Sequence, residues 1–199
     1  MTPQQHQQHD HRQRVRAAMS ATPREQHLTE GQRRHAGEDR PLPLFGGQTN
    51  SQPSTVANML ELLEVPEGAR VLDVGAGSGW TTAILAELTG PDGFVLGVEL
   101  VPDLATWGAQ NLACHGRDWA RLEPARPGVL GAPEEGPYDR ILVSAMAERL
   151  PQELIDQLAP GGVLVVPVAG RMCRVRRTAD EPQVEYIGHY AFVPLIVPD

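Results

Sequence analysis

Between residues 70 and 168, short apolar runs alternate with amphipathic stretches of roughly ten residues. The runs at 70–74, 93–98, 139–144 and 163–168 are rich in valine, leucine and isoleucine. Such runs suit strands buried on both faces. Ahead of the first, Ser51 is placed to N-cap a helix starting near Pro53, with Val56, Met59, Leu60 and Leu63 on one face. Helices are likewise predicted over 78–88, 102–115 and 151–158, the last closed by Pro160, Gly161 and Gly162. Strands spaced by helices imply right-handed crossovers and a parallel sheet. The pattern then changes: 171–178 and 183–190 read as two strands around the polar turn Ala179-Asp180-Glu181-Pro182. The expected fold is α/β, a doubly wound and mostly parallel sheet finished by a C-terminal antiparallel hairpin.

The first 46 residues follow other rules. Residues 1–11 are rich in glutamine and histidine without apolar periodicity, which predicts a disordered tail. His6, His9 and His11 there lack the neighbours that would complete a metal site, and no metal is expected. Residues 12–46 read as a helical segment, with a short basic helix over 12–19, a second starting at Pro23, and a proline-punctuated link to Gly46 and Gly47. Residues 47–199 form the expected main domain.

Composition narrows the classes. The chain has 199 residues, 41% hydrophobic and 21% charged, which suits one folded domain. A formal net charge of -8 argues against attraction to nucleic acid or anionic membrane. No apolar run approaches the ~20 residues of a membrane span, and the opening residues lack the apolar core of a secretory signal. The two cysteines, Cys114 and Cys173, form no zinc or redox motif. A cytoplasmic monomer is expected.

The candidate chemistry lies at residues 71–79, Val-Leu-Asp-Val-Gly-Ala-Gly-Ser-Gly. A buried strand runs into Gly75, Gly77 and Gly79, and a helix follows. Glycines there let the backbone turn tightly and approach a ligand, at the strand end where doubly wound sheets bind nucleotides. A dinucleotide loop has its third glycine three places after the second; here that place is Trp80. Asp73 precedes the loop and would repel a pyrophosphate, whereas a sulfonium cofactor with a cationic amino-acid end would be attracted. The loop therefore points to S-adenosylmethionine rather than NAD, with Asp73, Gly75, Ala76, Gly77, Ser78 and Gly79 as contacts. Glu99 ends the next strand about 20 residues later, where an acid accepts hydrogen bonds from ribose hydroxyls; Leu100 follows it.

With these motifs the chain resembles the protein-L-isoaspartate O-methyltransferase family. Gly47-Gln48-Thr49-Asn50-Ser51-Gln52-Pro53 is similar to the family's G-x-T-I-S-x-P, and 134–145, 154–168 and 192–195 follow in the family's order. The resemblance covers about residues 15–195. It implies a class I S-adenosylmethionine-dependent methyltransferase that esterifies the free carboxylate of L-isoaspartyl residues in damaged proteins. It also implies Ser51 as the active position, with Thr49, Gln52 and Pro53 lining the substrate cleft. A carboxylate is already ionised at neutral pH, so the protein need only align it with the methyl carbon and exclude water. Nothing suggests a covalent intermediate on Ser51, since no acyl-transfer triad is visible.

Three positions depart from the family pattern. Where a Gly-Asp-Gly reads adenine, this chain has Arg126-Pro127-Gly128, which leaves Gly128 and Val129 as the expected contacts there. Asn50 replaces the isoleucine. Ser144 to Glu148 replace a run of small residues. Two other readings accordingly stand beside isoaspartyl repair: methylation of a carboxylate in another peptide or small acid, and a member that binds cofactor or peptide with little turnover. Trp80 is placed near the cofactor loop; Trp107 and Trp119 read as packing residues. Arg171, Arg174, Arg176 and Arg177 read as a solvated strand face, with attraction of an acidic peptide as the functional alternative.

Overall fold

The computed structural model describes residues 3–197; the ends of the expected tail (1–2) and of the expected domain (198–199) lie outside them. Seven strands form one sheet in the order β5-β4-β3-β6-β7-β8-β9. Strands β3 (Arg70–Val74), β4 (Phe94–Glu99), β5 (Ala120–Pro124), β6 (Tyr138–Val143) and β7 (Leu158–Val168) are parallel. β8 (Arg171–Arg176) and β9 (Gln183–His189) complete the sheet antiparallel. The chain winds outward from β3 to β5, returns across the sheet to β6 and winds the other way. The switch point is between β3 and β6, the place where open α/β sheets bind ligands. The expected class is observed.

Alternate residues of each central strand enter opposite layers. Val71, Leu142, Val163 and Val165 pack under α1 (Pro3–Ala21), α3 (Pro53–Leu63) and α4 (Trp80–Thr89). Leu72, Ile141, Leu164 and Val166 pack on the other face with Leu154 and Ile155 of the one-turn α6 (Gln152–Ile155). α5 (Pro102–Ala113) joins α4 and β5 through Ala83, Ala105, Leu112 and Leu122. Two-sided burial explains why the strands read as continuous apolar runs.

The N-terminal segment departs from expectation. Residues 3–11 are not a disordered tail but the first half of the 19-residue α1. Glutamine is a good helix former, and the helix is held from outside. His11 Nε2 donates to Leu60 O at 3.1 Å, Arg12 pairs with Glu61 at 3.0 Å, and Arg14 donates to Val65 O and Leu88 O. Val15 and Ala18 are buried in the same core as α3 and α4, so this segment belongs to the main body. The second predicted helix splits into a 3-10 turn, Arg24–His27, and the four-residue α2 (Glu30–Arg33), with Leu28 extended between them. β1 (Leu42–Pro43) and β2 (Thr49–Asn50) then form a small hairpin.

Further differences have local causes. α6 stops at Ile155 because Leu158 is taken into the sheet opposite Tyr138. β5 was not expected, since only its Leu122 is buried and an edge strand needs no apolar run. No described helix is long and apolar enough to cross a membrane.

Candidate active site

The cleft opens at the switch point, over the ends of β3 and β6. Thr49, Ser51 and Gln52 line one wall; Gly75, Ala76, Gly77, Ser78, Glu99 and Leu100 line another; residues 191–196 close a third. The closing segment is tied down by Met146 N to Val193 O and Leu195 N to Met146 O, both 2.7 Å. Ser144 and Ala145 form the floor beside Gly75.

The loop after β3 is built on positive φ values at Gly75, Gly77 and Gly79, of 78°, 54° and 77°. It is also pressed against α5: a Cβ on Gly79 would sit 2.6 Å from Gly108 O, and one on Gly108 would sit 2.4 Å from Gly77 O. Gly108 is thus a site residue that sequence reasoning missed. Its only signal was a glycine inside a helix, where it costs about 1 kcal/mol relative to alanine without a packing reason.

Glu99 is buried at the end of β4. Its Oε2 accepts from Gly77 N at 2.8 Å and its Oε1 from Val101 N at 3.0 Å, which fixes the carboxylate at the cavity wall. Asp73 does not line the cavity. It lies behind the loop, wholly buried, and its Oδ2 accepts from both Thr81 and Thr82 hydroxyls at 2.7 Å. Its Oδ1 is buried without a hydrogen-bond partner. Burial, countered in part by the two threonines, pushes the carboxyl up to about 6. β4 makes room for this arrangement: a Cβ on Gly97, opposite Asp73 in the sheet, would meet Thr82 Oγ1 at 2.8 Å.

Among the described residues, Glu99 is the sole ionisable side chain lining the cleft. An acid at the wall, a second buried acid with an unpaired oxygen behind it, and no facing cation suit a positively charged ligand. They do not suit a pyrophosphate. The donor set fits the sulfonium cofactor expected from the loop.

The substrate wall differs in detail from the sequence reading. Gln52, not Ser51, is the N-cap residue of α3, and it makes no side-chain cap bond. Asp39 serves that helix end instead, accepting from Ser54 N at 2.9 Å and Gln52 Nε2 at 3.1 Å. The Gln52 amide is therefore committed, and the backbone bond from Ser54 holds the Asp39 carboxyl below its ordinary range. The Ser51 hydroxyl makes no hydrogen bond among the described residues, so it is available. Pro53, Gly79, Gly128 and Val129 are outside the cleft lining. Gly79 is under α5. Gly128 is exposed in the turn after β5, closed by Val129 N to Arg126 O.

Asn50 is buried at the edge of the cleft lining, and Trp80 lines the cleft with its Nε1 donating to Thr22 O. Trp107 packs edge-on against Phe45, and Trp119 donates to Ala86 O. The tail arginines are spent on structure. Arg174 pairs with Glu64 at 2.5 Å and Arg176 with Glu64 at 3.6 Å. Arg177 binds Asp156 O and Leu158 O, and Arg171 lies over the Tyr186 ring.

Comparison with known proteins follows the same geometry. The family described as protein-L-isoaspartate(D-aspartate) O-methyltransferase matches residues 1–198. The chain belongs to this family. The protein-L-isoaspartate O-methyltransferase of Methanopyrus kandleri is 45% identical over 188 residues, 92% of this chain and 83% of that one. That of Methanoculleus marisnigri is 46% identical over 187 residues with the same coverage. Among solved structures, a beta-aspartate methyltransferase of Plasmodium falciparum in complex with S-adenosyl-L-homocysteine superposes with a TM-score of 0.80 at 25% identity, covering 92% of this chain and 90% of that one. A second protein-L-isoaspartate O-methyltransferase gives 0.82 at 26% identity; this chain spans 61% of its length.

Proposed function

We propose that this protein transfers the methyl group of S-adenosylmethionine to the free carboxylate of L-isoaspartyl residues in damaged proteins or peptides. The observation that carries the reading is the cleft itself. Among the described residues Glu99 is its only ionisable lining residue, and the Ser51 hydroxyl, without a hydrogen bond among them, lines the same cleft as the glycine loop. The relatives named above, and the S-adenosyl-L-homocysteine bound by the Plasmodium falciparum enzyme, support the same reaction and cofactor.

When bound, S-adenosylmethionine supplies an electrophilic methyl on a sulfonium. The chain's own residues bind and orient. Glu99 offers carboxylate oxygens to ribose hydroxyls, and the positive-φ glycines let the backbone approach the ligand. Ionised Asp73, behind the loop, favours positive charge in the cleft. Ser51 donates a hydrogen bond to the substrate carboxylate and turns an oxygen toward the methyl, with Thr49 beside it. Phe192 and Val193 exclude water from the closing wall. The substrate is already an anion, so no base is required, and the rate gain comes from orientation. On this reading the protein works as a monomer in the cytoplasm, on protein rather than nucleic acid, in keeping with its net charge of -8.

The test is methyl transfer from labelled S-adenosylmethionine to an isoaspartyl peptide, with the matched aspartyl peptide and Ser51→Ala alongside. Transfer to the isoaspartyl peptide alone is expected, reduced about tenfold or more in the variant by loss of one charge-assisted hydrogen bond. Measurable S-adenosylhomocysteine binding without transfer to either peptide would move the substrate to another carboxylate.

A further inference from the structure

One buried side chain joins the two halves of the cleft. The guanidinium of Arg24, on the 3-10 turn Arg24–His27, is enclosed by the chain that leads into the substrate wall. Its Nη1 donates to Glu38 O at 2.9 Å. Its Nη2 donates to Arg40 O and Ser51 O at 2.9 Å and to Asn50 O at 3.2 Å. Its Nε donates to Asn50 Oδ1 at 2.7 Å, and its Cζ lies 5.5 Å from the centre of the Trp80 ring. Arg24 has no paired carboxylate among the described residues. Backbone carbonyls and one amide oxygen satisfy it instead, so it sets where the segment around Ser51 lies.

Asn50 uses its other end differently. Its Nδ2 donates to Ser78 Oγ at 3.0 Å, inside the cofactor loop. Among the described residues this is the one side-chain hydrogen bond from the substrate segment, residues 49–52, to that loop. Ser78 is held from behind as well: its carbonyl accepts from His27 Nδ1 at 2.9 Å and Asn111 Nδ2 at 3.1 Å. The same turn therefore reaches the substrate segment through Arg24 and the cofactor loop through His27. Asn50 is buried with both ends of its amide paired, its acceptor on Arg24 and its donor on Ser78. Burial of an amide on this scale is tolerated only when both ends are paired.

Resting on the functional reading above for its peptide arm alone, we propose that Asn50 is a positioning residue. It latches the Thr49–Gln52 segment to the cofactor loop through Ser78, with Arg24 as the anchor, so that cofactor and peptide bind cooperatively. A ligand that orders the loop orders Ser78. Ser78 then restrains Asn50, and with it the Ser51 backbone that Arg24 holds. By linkage the restraint runs both ways, and each ligand tightens the other by the same factor. Isoleucine at this position could make neither bond.

The test uses the full chain with S-adenosylhomocysteine as probe. Amide hydrogen exchange over residues 48–52 is measured with and without it in the wild type, Asn50→Ile and Ser78→Ala. Ser78→Ala leaves the Arg24–Asn50 bond intact and decides the matter if Asn50→Ile does not fold. We expect S-adenosylhomocysteine to slow exchange in this segment at least fivefold in the wild type, and less than twofold in either variant. Calorimetry then measures S-adenosylhomocysteine affinity with and without an isoaspartyl peptide. A mutual tightening of at least fivefold is expected in the wild type and is lost in the variants, with no further loss in the double variant. Equal protection in wild type and Ser78→Ala, or none in the wild type, overturns the latch. Protection lost in the variants while no isoaspartyl peptide binds leaves the latch standing and overturns the substrate reading instead.

Discussion

Asp73 is a charge placed where folding disfavours it. Its carboxyl is raised by burial to about 6 from an ordinary 3.8. A group raised in the folded state stabilises fully below its unfolded value and loses that contribution as pH rises through the folded one. At neutral pH the ionised carboxylate therefore costs about 3 kcal/mol, which suits a site that waits for a cation. Asp73→Asn should raise the melting temperature of the free protein at pH 7.5 and weaken binding of S-adenosylmethionine, which carries the sulfonium charge, tenfold or more. A variant that melts lower and binds unchanged would show that the charge serves packing instead. His27 is the opposite case. Its Nδ1 must donate to the Ser78 carbonyl, which leaves Nε2 to accept from His115 Nε2 at 2.9 Å. Burial takes it down to about 4, so it is neutral at working pH.

At the scale of elements, close approach decides function more than polarity does. The glycine loop is seated by α5 at Gly108, where any side chain would strike the Gly77 carbonyl. Gly108→Ala should cost about 1–3 kcal/mol of stability by overpacking and about tenfold or more in S-adenosylhomocysteine affinity, read by denaturant melts and calorimetry. The β7–β8 turn offers a contrasting change. Ala169 and Gly170 both have positive φ, 47° and 85°, the geometry of a two-residue hairpin turn that prefers asparagine and glycine. Ala169→Asn is expected to stabilise by about 0.5–1 kcal/mol, seen as a rise of about 1–4 °C in melting temperature, with methyl transfer unchanged.

For the molecule as a whole, these two buried groups oppose each other in acid. His27, lowered in the folded state, contributes stability above about 6.5 that is lost as pH falls toward about 4. Asp73 contributes stability below 3.8 that is lost as pH rises toward about 6. His115, also lowered by burial, adds in the direction of His27. Wild-type melting temperature should thus rise only weakly from pH 4.5 to 6, since Asp73 offsets part of the rise from the two histidines. In Asp73→Asn, with one side removed, it should climb steeply over the same range. Parallel curves would mean that neither group carries the pH dependence.

Periodicity and spacing were enough to reveal the central strands and their helices, since two-sided burial demands unbroken apolar runs. The glycine spacing with Asp73, and Glu99 after the next strand, was enough to indicate the cofactor, because loop geometry and charge sign are local properties. Ser51 stood out through its motif. What stayed hidden depends on partners distant in the chain. Residues 3–11 become helix because α3 receives His11 and Arg12. β5 is a strand because β4 offers it an edge. Asp39 takes over the cap expected of Ser51, whose hydroxyl is left without a hydrogen bond among the described residues. Arg24, Asn50 and Ser78 look like three ordinary polar residues until folding buries them together. Local sequence specifies backbone conformation and which faces avoid water. Which buried donor meets which acceptor is settled only when elements far apart in the chain are packed, because an unpaired polar group in the interior is costly and only the assembled fold supplies its partner.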